Sequence, residues 1–132
     1  MSFKVFSWPV RVYYDDTDAG GVVYYANYLK FFERARTEWL RSMGLNQDKL
    51  AQEQEKIFVV RKVALDFASP ARLDDMLEIS VEPRKLAHVY IQFVQEARCG
   101  TRVLARAEVK VACLDRRNFK PVAMPQSLRD SI

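Results

Sequence analysis

The sequence predicts an α+β domain in which one antiparallel sheet wraps around a single long helix. Residues 25–43 show a helical pattern whose apolar stripe is wide enough to be enclosed on most sides. Five other segments are rich in β-branched and aromatic residues, and the later ones are joined by short turns, so they pair antiparallel. One helix and one sheet bury their apolar faces against each other, and we therefore expect the sheet to surround the helix.

The first half of the chain is predicted to contain one strand and then the helix. Alternating residues 3–14 form the strand, with an interruption near Pro9, because proline cannot donate to a sheet. A loop rich in Asp and Gly follows, and Gly44 is suited to end the helix that comes after it. The next segment, residues 46–55, is polar and is predicted to be a short exposed helix or a loop.

Four strands are predicted in the second half, at residues 57–67, 77–81, 89–97 and 103–114. The sequence Cys-Gly-Thr-Arg at residues 99–102 has the composition of a hairpin turn. Beyond Asp115 the tail is basic and contains proline, so we expect it to be irregular. A sheet of this size leaves an edge or a face uncovered, and we therefore expect a homodimer.

Composition predicts one globular domain over residues 1–132, located in the cytoplasm. No apolar run reaches the length of a membrane span, and the N-terminus lacks the apolar segment of a signal peptide. The net charge of +4 is spread over interleaved charges, so nucleic-acid binding is not expected. With one histidine, and with Cys99 and Cys113 outside any metal-ligand spacing, we expect reduced thiols and no metal site.

The loop between strand and helix carries the residues best suited to chemistry. Three carboxylates, Asp15, Asp16 and Asp18, precede the adjacent glycines Gly20 and Gly21. Glycine lets the backbone approach a ligand, and a helix that begins just beyond adds a positive dipole end. A carboxylate beside N–H donors is the minimum equipment for attack on a carbonyl. Composition alone favours a simpler role, in which Asp18 caps the turn before the glycines.

Several segments also resemble a known family: residues 10–24, 27–28, 32–38, 58–62, 70–79, 111–115 and 120–121. Together they resemble the Tol–Pal-associated acyl-CoA thioesterases, the YbgC-like group, which are similar to 4-hydroxybenzoyl-CoA thioesterases of the hotdog superfamily. The resemblance spans nearly the whole chain. It implies a hotdog fold, homodimers or homotetramers, and hydrolysis of acyl-CoA to free acid and CoA. Such chemistry needs no metal or redox cofactor, since CoA is part of the substrate.

The resemblance also implies roles for individual residues. Asp18 is the expected catalytic carboxylate, acting as nucleophile or as general base on water. Tyr25 stands where members of the group often carry His, and it is expected beside Asp18 as a substrate contact or a lining residue. The backbone N–H groups of Gly20, Gly21, Val22 and Val23 are expected to polarise the thioester carbonyl. Supporting positions are Asp16, Tyr24 and Asn27.

Two further sets of residues were weighed. Glu33 on the helix is a rival catalytic carboxylate, because some hotdog enzymes carry a catalytic Glu there. The simpler interpretation pairs Glu33 and Glu38 with neighbouring arginines. The phosphates of CoA require cations near the mouth of the cleft, and the candidates at strand ends are Arg61, Lys62, Arg84, Lys85 and His88.

An alternative function belongs to a different class. The same fold could serve as an accessory protein of envelope lipid metabolism that binds acyl chains or acyl carrier protein with little turnover. The mildly basic surface would suit an acidic carrier, whereas the intact Asp18 motif favours an enzyme. Acyl-chain length, aromatic or aliphatic preference, and dimer or tetramer are left open by the sequence.

Overall fold

The computed structural model describes residues 4–132, so Phe3 of the predicted first strand lies outside the described residues. The elements in chain order are β1 (Phe6–Arg11), α1 (Asn27–Ser42), α2 (Gln47–Gln54), β2 (Lys56–Phe67), β3 (Met76–Leu86), β4 (Tyr90–Cys99), β5 (Arg102–Asp115) and α3 (Gln126–Ser131). A 3₁₀ turn at Tyr14–Asp16 lies between β1 and α1. None of the helices in this range is long and apolar enough to cross a membrane.

All five strands form one antiparallel sheet in the order β1-β3-β4-β5-β2. Helix α1 packs on β1, β3 and β4 and buries the predicted stripe, which includes Phe31, Phe32 and Ala35. Strand residues such as Phe93 point toward the helix and form the inner face of the sheet. The residues between them, such as Gln92, form the outer face. The core therefore lies between α1 and the inner face, as the apolar patterns predict.

The prediction for the first strand is wrong in two respects. Strand β1 runs through Pro9 without interruption, and it ends at Arg11 because the chain turns into the 3₁₀ segment. Pro9 stands opposite Glu78 in the register with β3. Proline is tolerated here because β1 is an edge strand, where a missing N–H breaks no second ladder.

The prediction of an irregular tail is also wrong, because Gln126–Ser131 forms α3. Leu128 on this helix and Met124 just before it are buried in the main core. A helix of six residues is too short to form without such contacts, and its pattern is too short to identify in a sequence. The polar segment after α1 is helical as α2, and the Asn46 side chain caps it by accepting from Lys49 N–H.

Two strands contain an extra residue that the sequence patterns did not indicate. In β2, Val60 pairs with Val111 and Lys62 with Lys110, so Arg61 has no opposite residue. In β3, Arg84 is the extra residue between two paired positions, and the strand extends well beyond the predicted residues 77–81. Such bulges bend a strand and change where its side chains point.

Strand β2 is the second edge of the sheet and is largely uncovered on its inner face. Val60, Val63 and Phe67 are 43%, 37% and 51% exposed. Each stands opposite an inward residue of β5, so their exposure marks an apolar strip that α1 does not cover. No strand of the described residues pairs with the free side of β2.

Candidate active site

The Asp18 loop is a short hairpin between β1 and α1. Thr17 and Val23 form an antiparallel bridge, and Asp18 N–H donates to the Val22 carbonyl at 2.9 Å. Gly21 N–H donates to the Asp18 carbonyl at 3.0 Å, which closes a tight turn. Gly21 has a φ of +76°, a conformation in which residues with a side chain are strained. The glycine pair therefore builds the tip of the hairpin and presents Asp18 there.

The Asp18 side chain is exposed, and only one of its oxygens is engaged. Oδ1 accepts the Gly20 N–H at 2.8 Å, which is the turn-capping contact that composition favours. Oδ2 accepts no hydrogen bond from the described residues. A Cβ at Gly20 would lie 3.2 Å from Oδ1, so the absence of a side chain gives the carboxylate its room. The carboxylate is thus oriented by the turn and still has an oxygen available to a substrate or a water.

Asp16 joins the two ends of the loop and is buried, with 4% of its surface exposed. Its Oδ2 accepts the Tyr13 N–H at 2.8 Å, and the Lys30 Nζ lies 4.0 Å from Oδ1. Its backbone carbonyl accepts the Tyr24 N–H at 3.0 Å and the Asn27 Nδ2–H at 2.8 Å. The three supporting residues predicted from the family resemblance are therefore in direct contact, and they fix the hairpin to the start of α1.

The predicted carbonyl-polarising donors are mostly used inside the loop. The Gly20 N–H is bonded to Asp18 Oδ1, the Gly21 N–H to the Asp18 carbonyl, and the Val23 N–H to the Ala71 carbonyl at 2.8 Å. Val22 N–H has no partner in the described part of the chain. The predicted set thus retains one uncommitted donor at Val22.

A further donor, which the sequence analysis missed, lies at the N-terminus of α1. Tyr25 lies two residues before the helix, and its backbone N–H has no partner among residues 4–132. Ala26, which lies between Tyr25 and the first helical residue, provides no side-chain cap. The first N–H groups of any helix are unpaired and carry the positive end of its dipole. The sequence contained one indication of this donor, because the predicted helix began at Tyr25 and the first N–H groups of a helix have no partner within it.

Aromatic side chains form a wall beside the hairpin. The Tyr25 ring lies 4.8 Å from that of Tyr24 and 6.4 Å from that of Phe67, and Tyr28 lies 5.5 Å from Phe67. A surface cavity of about 270 Å³ is lined by Val23, Tyr25, Tyr28 and residues 67–70. Tyr25 therefore lies in an apolar recess that an acyl group could occupy, although Asp18 itself does not line this recess.

Two tyrosines in this region, Tyr24 and Tyr28, have pKa values above the ordinary one. The pKa of Tyr24 is raised first by its hydrogen bond with the Tyr25 side chain, and the Asp18 charge adds to the increase. Burial raises the pKa of Tyr28, whose hydroxyl accepts the Ala71 N–H at 3.2 Å. Both phenols are therefore protonated at neutral pH and can serve as hydrogen-bond donors rather than as bases.

Glu33, the rival carboxylate, lies in a different cavity. A narrow space of about 70 Å³ separates α1 from β2 and is lined by Glu33, Arg36 and apolar residues of β2, β4 and β5. Glu38 forms the expected ion pair with Arg41, but no cation of the described chain lies within 4.0 Å of Glu33, so that part of the pairing prediction is wrong. Burial lowers the pKa of Arg36 to about 10. The Arg36 guanidinium donates a hydrogen bond to the Gln95 Oε1 at 2.8 Å.

The candidate phosphate ligands fall into two groups. Lys62 and Arg84 line one cavity of about 300 Å³ on the outer face, and Lys85 lies beside them over the Tyr90 ring. His88 is elsewhere, with Nδ1 3.0 Å from an Arg129 nitrogen of α3. Arginine can only donate, so Nδ1 is the acceptor in this contact. Arg61 is the extra residue of the β2 bulge.

Neither thiol nor any acidic cluster forms a metal site in the part of the chain that the structure describes. Cys99 and Cys113 are both free, as predicted. No group of three His, Cys, Asp or Glu side chains is arranged to bind a metal ion within residues 4–132.

Comparison with known proteins identifies the family. The model of the thioesterase-like superfamily matches residues 12–132. An acyl-CoA thioesterase YbgC of Haemophilus influenzae is 50% identical over 124 residues, covering 94% of this chain and 91% of the relative. The chain belongs to the YbgC group of this superfamily. An acyl-CoA thioester hydrolase YbgC of Escherichia coli O6:H1 is 48% identical and covers 97% of this chain and 96% of the relative.

Solved structures confirm the fold of this YbgC-group chain. A probable thioesterase from Bartonella henselae superposes with a TM-score of 0.88 at 37% identity, covering 92% of this chain and all of the other. A 1,4-dihydroxy-2-naphthoyl-CoA thioesterase from Synechocystis superposes with a TM-score of 0.90 at 24% identity, which supports the fold alone. The hotdog fold and the family resemblance predicted from the sequence are both confirmed.

Proposed function

We propose that the chain hydrolyses acyl-CoA thioesters to free acid and CoA, with Asp18 as the catalytic carboxylate. The observation that carries the proposal is the Asp18 hairpin, in which an exposed carboxylate with an uncommitted oxygen is fixed next to the start of α1. Its membership in the YbgC group supplies the reaction, because the curated relatives are acyl-CoA thioesterases by name.

The thioester carbonyl would be polarised by N–H groups that the fold leaves uncommitted. The Val22 and Tyr25 donors meet this requirement, and one such donor contributes about 3 kcal/mol to the stabilisation of an oxyanion. The Tyr25 side chain would line the acyl site together with Tyr28 and Phe67. We assign Asp16, Tyr24 and Asn27 the role of fixing the hairpin rather than that of contacting substrate.

Two balanced routes lead to the same products. As a nucleophile, an Asp18 oxygen adds to the carbonyl carbon, the C–S bond breaks, and water then hydrolyses the mixed anhydride to free acid and Asp18. As a general base, Asp18 takes a proton from water, the hydroxide adds to the carbonyl, and the proton passes to the departing sulfur. A single turnover in ¹⁸O-labelled water separates the routes, because only the nucleophilic route can place the label in Asp18.

The test of the proposal is the substitution Asp18→Asn, with Asp15→Asn as the matched control. We expect Asp18→Asn to lower kcat/KM for acyl-CoA about 10²–10⁴-fold, because the amide is neither a base nor a competent nucleophile. Asp15 is exposed and bonded to no described residue through its side chain, so its variant should retain full activity. Equal activity of the Asp18 variant and the wild type would refute the proposal.

The same experiment addresses the accessory-protein alternative. Wild-type chain that binds acyl carrier protein but turns over none of a series of acyl-CoAs would favour a binding module. Steady hydrolysis of any member of the series favours the enzyme, and the rates across the series would define the preferred chain length. Three further statements are proposals as well: a cytoplasmic location, which rests on the composition, an association with the Tol–Pal system, which rests on the family resemblance, and a role for acyl carrier protein, which rests on the mildly basic surface.

We further propose that the working unit is a homodimer formed at β2. The strand offers a free backbone edge of 12 residues and an apolar strip at Val60, Val63 and Phe67. Unpaired edges with exposed apolar side chains are rare in monomers, because they promote association. Phe67 also lines the recess beside Tyr25, so a partner seated at β2 would lie next to the acyl site.

A further inference from the structure

Three lysines form a row across the outer face of the sheet, which we call the lysine row (Lys62, Lys85 and Lys110). In the strand register, Lys85 on β3 stands opposite Gln92 on β4, and Gln92 stands opposite Lys110 on β5. Lys110 in turn stands directly opposite Lys62 on β2. The Cβ atoms of directly opposed residues are about 5 Å apart, so these two ammonium groups repel each other.

The lysine row has no carboxylate partner in the described part of the chain. None of the ion pairs within 4.0 Å involves Lys62, Lys85 or Lys110. Two carboxylates on the same face are paired with arginines, Glu82 with Arg84 and Glu108 with Arg106. Of the others, Glu78 accepts from the Ser7 hydroxyl, and Asp66 stands opposite Arg106 rather than a lysine. Like charges in opposed positions destabilise a sheet, so the row is unfavourable unless an anion neutralises it.

The local backbone and a tyrosine position these amines around one depression. A cavity of about 300 Å³ is lined by Lys62, Lys110 and Arg84 together with six neighbours. The bulges in β2 and β3 occur at the ends of the same row and add Arg61 and Arg84 to it. The Tyr90 ring lies 4.2 Å from the Lys110 Nζ and 5.5 Å from the Lys85 Nζ, which restrains both amines by cation–π contact.

We propose that the lysine row is a binding site for a ligand that carries two or more phosphate groups. Several fixed ammonium groups around one depression suit the clustered oxygens of a polyphosphate, and lysine binds phosphate as a point charge. A single carboxylate would neutralise only one of the three charges. The site lies on the outer face of the sheet and does not include the Asp18 hairpin, so its ligand need not be the thioester undergoing hydrolysis.

The proposal is tested by calorimetric titration of the full chain at low salt with inorganic pyrophosphate and with adenosine 3′,5′-bisphosphate. We expect the double variant Lys62→Gln/Lys110→Gln to bind at least tenfold more weakly than the wild type. Lys49→Gln, on the exposed helix α2, removes a lysine away from the row and should bind like the wild type. Affinity should fall as salt is raised, because the interaction is between exposed charges.

A second measurement separates binding from damage to the fold. Without ligand, Lys110→Gln should raise Tm by about 1–4 °C, because it removes an opposed like charge. A variant that has a higher Tm and yet binds the phosphate probes more weakly is expected only if the lysines contact the bound phosphates. Absence of binding to the wild type at low salt, or equal affinity in the double variant, would overturn the proposal.

The two probes identify the source of the phosphates. Equal affinity for both would mean that linked phosphates suffice, whereas tenfold tighter binding of the bisphosphate would indicate a nucleotide ligand. Asp18→Asn should bind both probes like the wild type. The outcome at the lysine row is therefore independent of the outcome for thioester hydrolysis.

Discussion

Asp16 and Asp18 lie two residues apart in one loop, yet their carboxylates occupy opposite environments. Asp16 is buried and accepts a backbone N–H, whereas Asp18 is exposed at the tip of the hairpin. The separation of roles follows from the geometry, because Asp16 ends the 3₁₀ turn and its carboxylate folds back onto the Tyr13 N–H, whereas Asp18 begins the next tight turn and its carboxylate caps the Gly20 N–H. Asp16 thus stabilises the loop that presents Asp18.

Replacing the buried carboxylate should unfold the protein more easily. We expect Asp16→Ala to lower the free energy of unfolding by about 1–3 kcal/mol, because the Tyr13 N–H loses its acceptor in a partly buried hydrogen bond and the buried Asp16 side chain is removed. Urea denaturation followed by circular dichroism measures the change. Asp15→Ala is the control and should stay within about 0.5 kcal/mol of the wild type. Equal losses for the two variants would contradict the role of Asp16.

At the residue scale, the sequence predicts the position of the site better than the contacts within it. The family resemblance singled out Asp18 as the candidate, and the two glycines predicted the tight turn that the hairpin contains. From the sequence, however, Asp15, Asp16 and Asp18 are three similar carboxylates in one loop. The folded loop distinguishes them, because it buries Asp16 alone. The donor at Tyr25 was missed because backbone partners depend on which N–H groups the loop uses internally.

Helix α1 is joined to the sheet by one buried polar side chain as well as by its apolar stripe. Gln95 on β4 is fully buried, and its Nε2 donates to the Phe32 carbonyl at 3.0 Å and to the Ser80 carbonyl at 3.3 Å. Its Oε1 accepts from Arg36 at 2.8 Å. Every polar atom of the amide is therefore engaged, and the network fixes the helix at one position along the strand.

Replacing Gln95 should lower the free energy of unfolding more than an ordinary polar substitution does. We expect Gln95→Leu to lower the free energy of unfolding by about 2–4 kcal/mol, because the largely buried Arg36 guanidinium then loses its described acceptor. Gln92→Leu, on the outer face of the same strand, is the matched control with an expected change of about 0.5 kcal/mol or less. The denaturation midpoints of the two variants are compared. Similar midpoints would show that the Gln95 hydrogen bonds do not stabilise the packing of α1 on the sheet.

At the element scale, periodicity located every strand and α1 to within a few residues, apart from the extension of β3, whereas the segment that forms α2 was predicted only as a short helix or a loop. It failed at α3, because six residues show no recognisable period and form a helix only through contacts made by Leu128. It also gave no sign that Gln95 faces inward. The strand alternates in composition, but which of its two glutamines meets the helix depends on a partner distant in sequence.

For the whole molecule, the main uncovered surface is the β2 side of the sheet, where a strand edge is unpaired and apolar side chains are exposed. The core is closed between α1 and strands β1, β3 and β4, while the inner face of β2 carries exposed apolar side chains. The sequence predicted that some edge would be uncovered, but it could not say which, because strand order depends on pairings between distant segments. The structure assigns this position to β2, which is the basis of the proposed homodimer.

A charge placed on this strip should prevent assembly. We expect Val63→Lys to shift the chain from dimer to monomer in light scattering coupled to size-exclusion chromatography, because the added ammonium group would be buried without a partner. Phe119→Lys is the control, since Phe119 is 65% exposed on the loop after β5 and lies outside the strip. A dimer of undiminished strength in the Val63 variant would exclude β2 as the interface.

The single extra residue at Arg61 has a consequence for how this strand can change over evolutionary time. Before it, even-numbered positions such as Val60 face inward; after it, odd-numbered positions such as Val63 do so. Deleting that one residue would restore an unbroken alternation, with Val60 inward, Lys62 outward and Val63 inward, so both surfaces of the strand would keep their side chains. The strand can therefore gain or lose one residue at this point without exchanging the lysine-bearing surface for the valine-bearing one, whereas the same change within a regular stretch would exchange them.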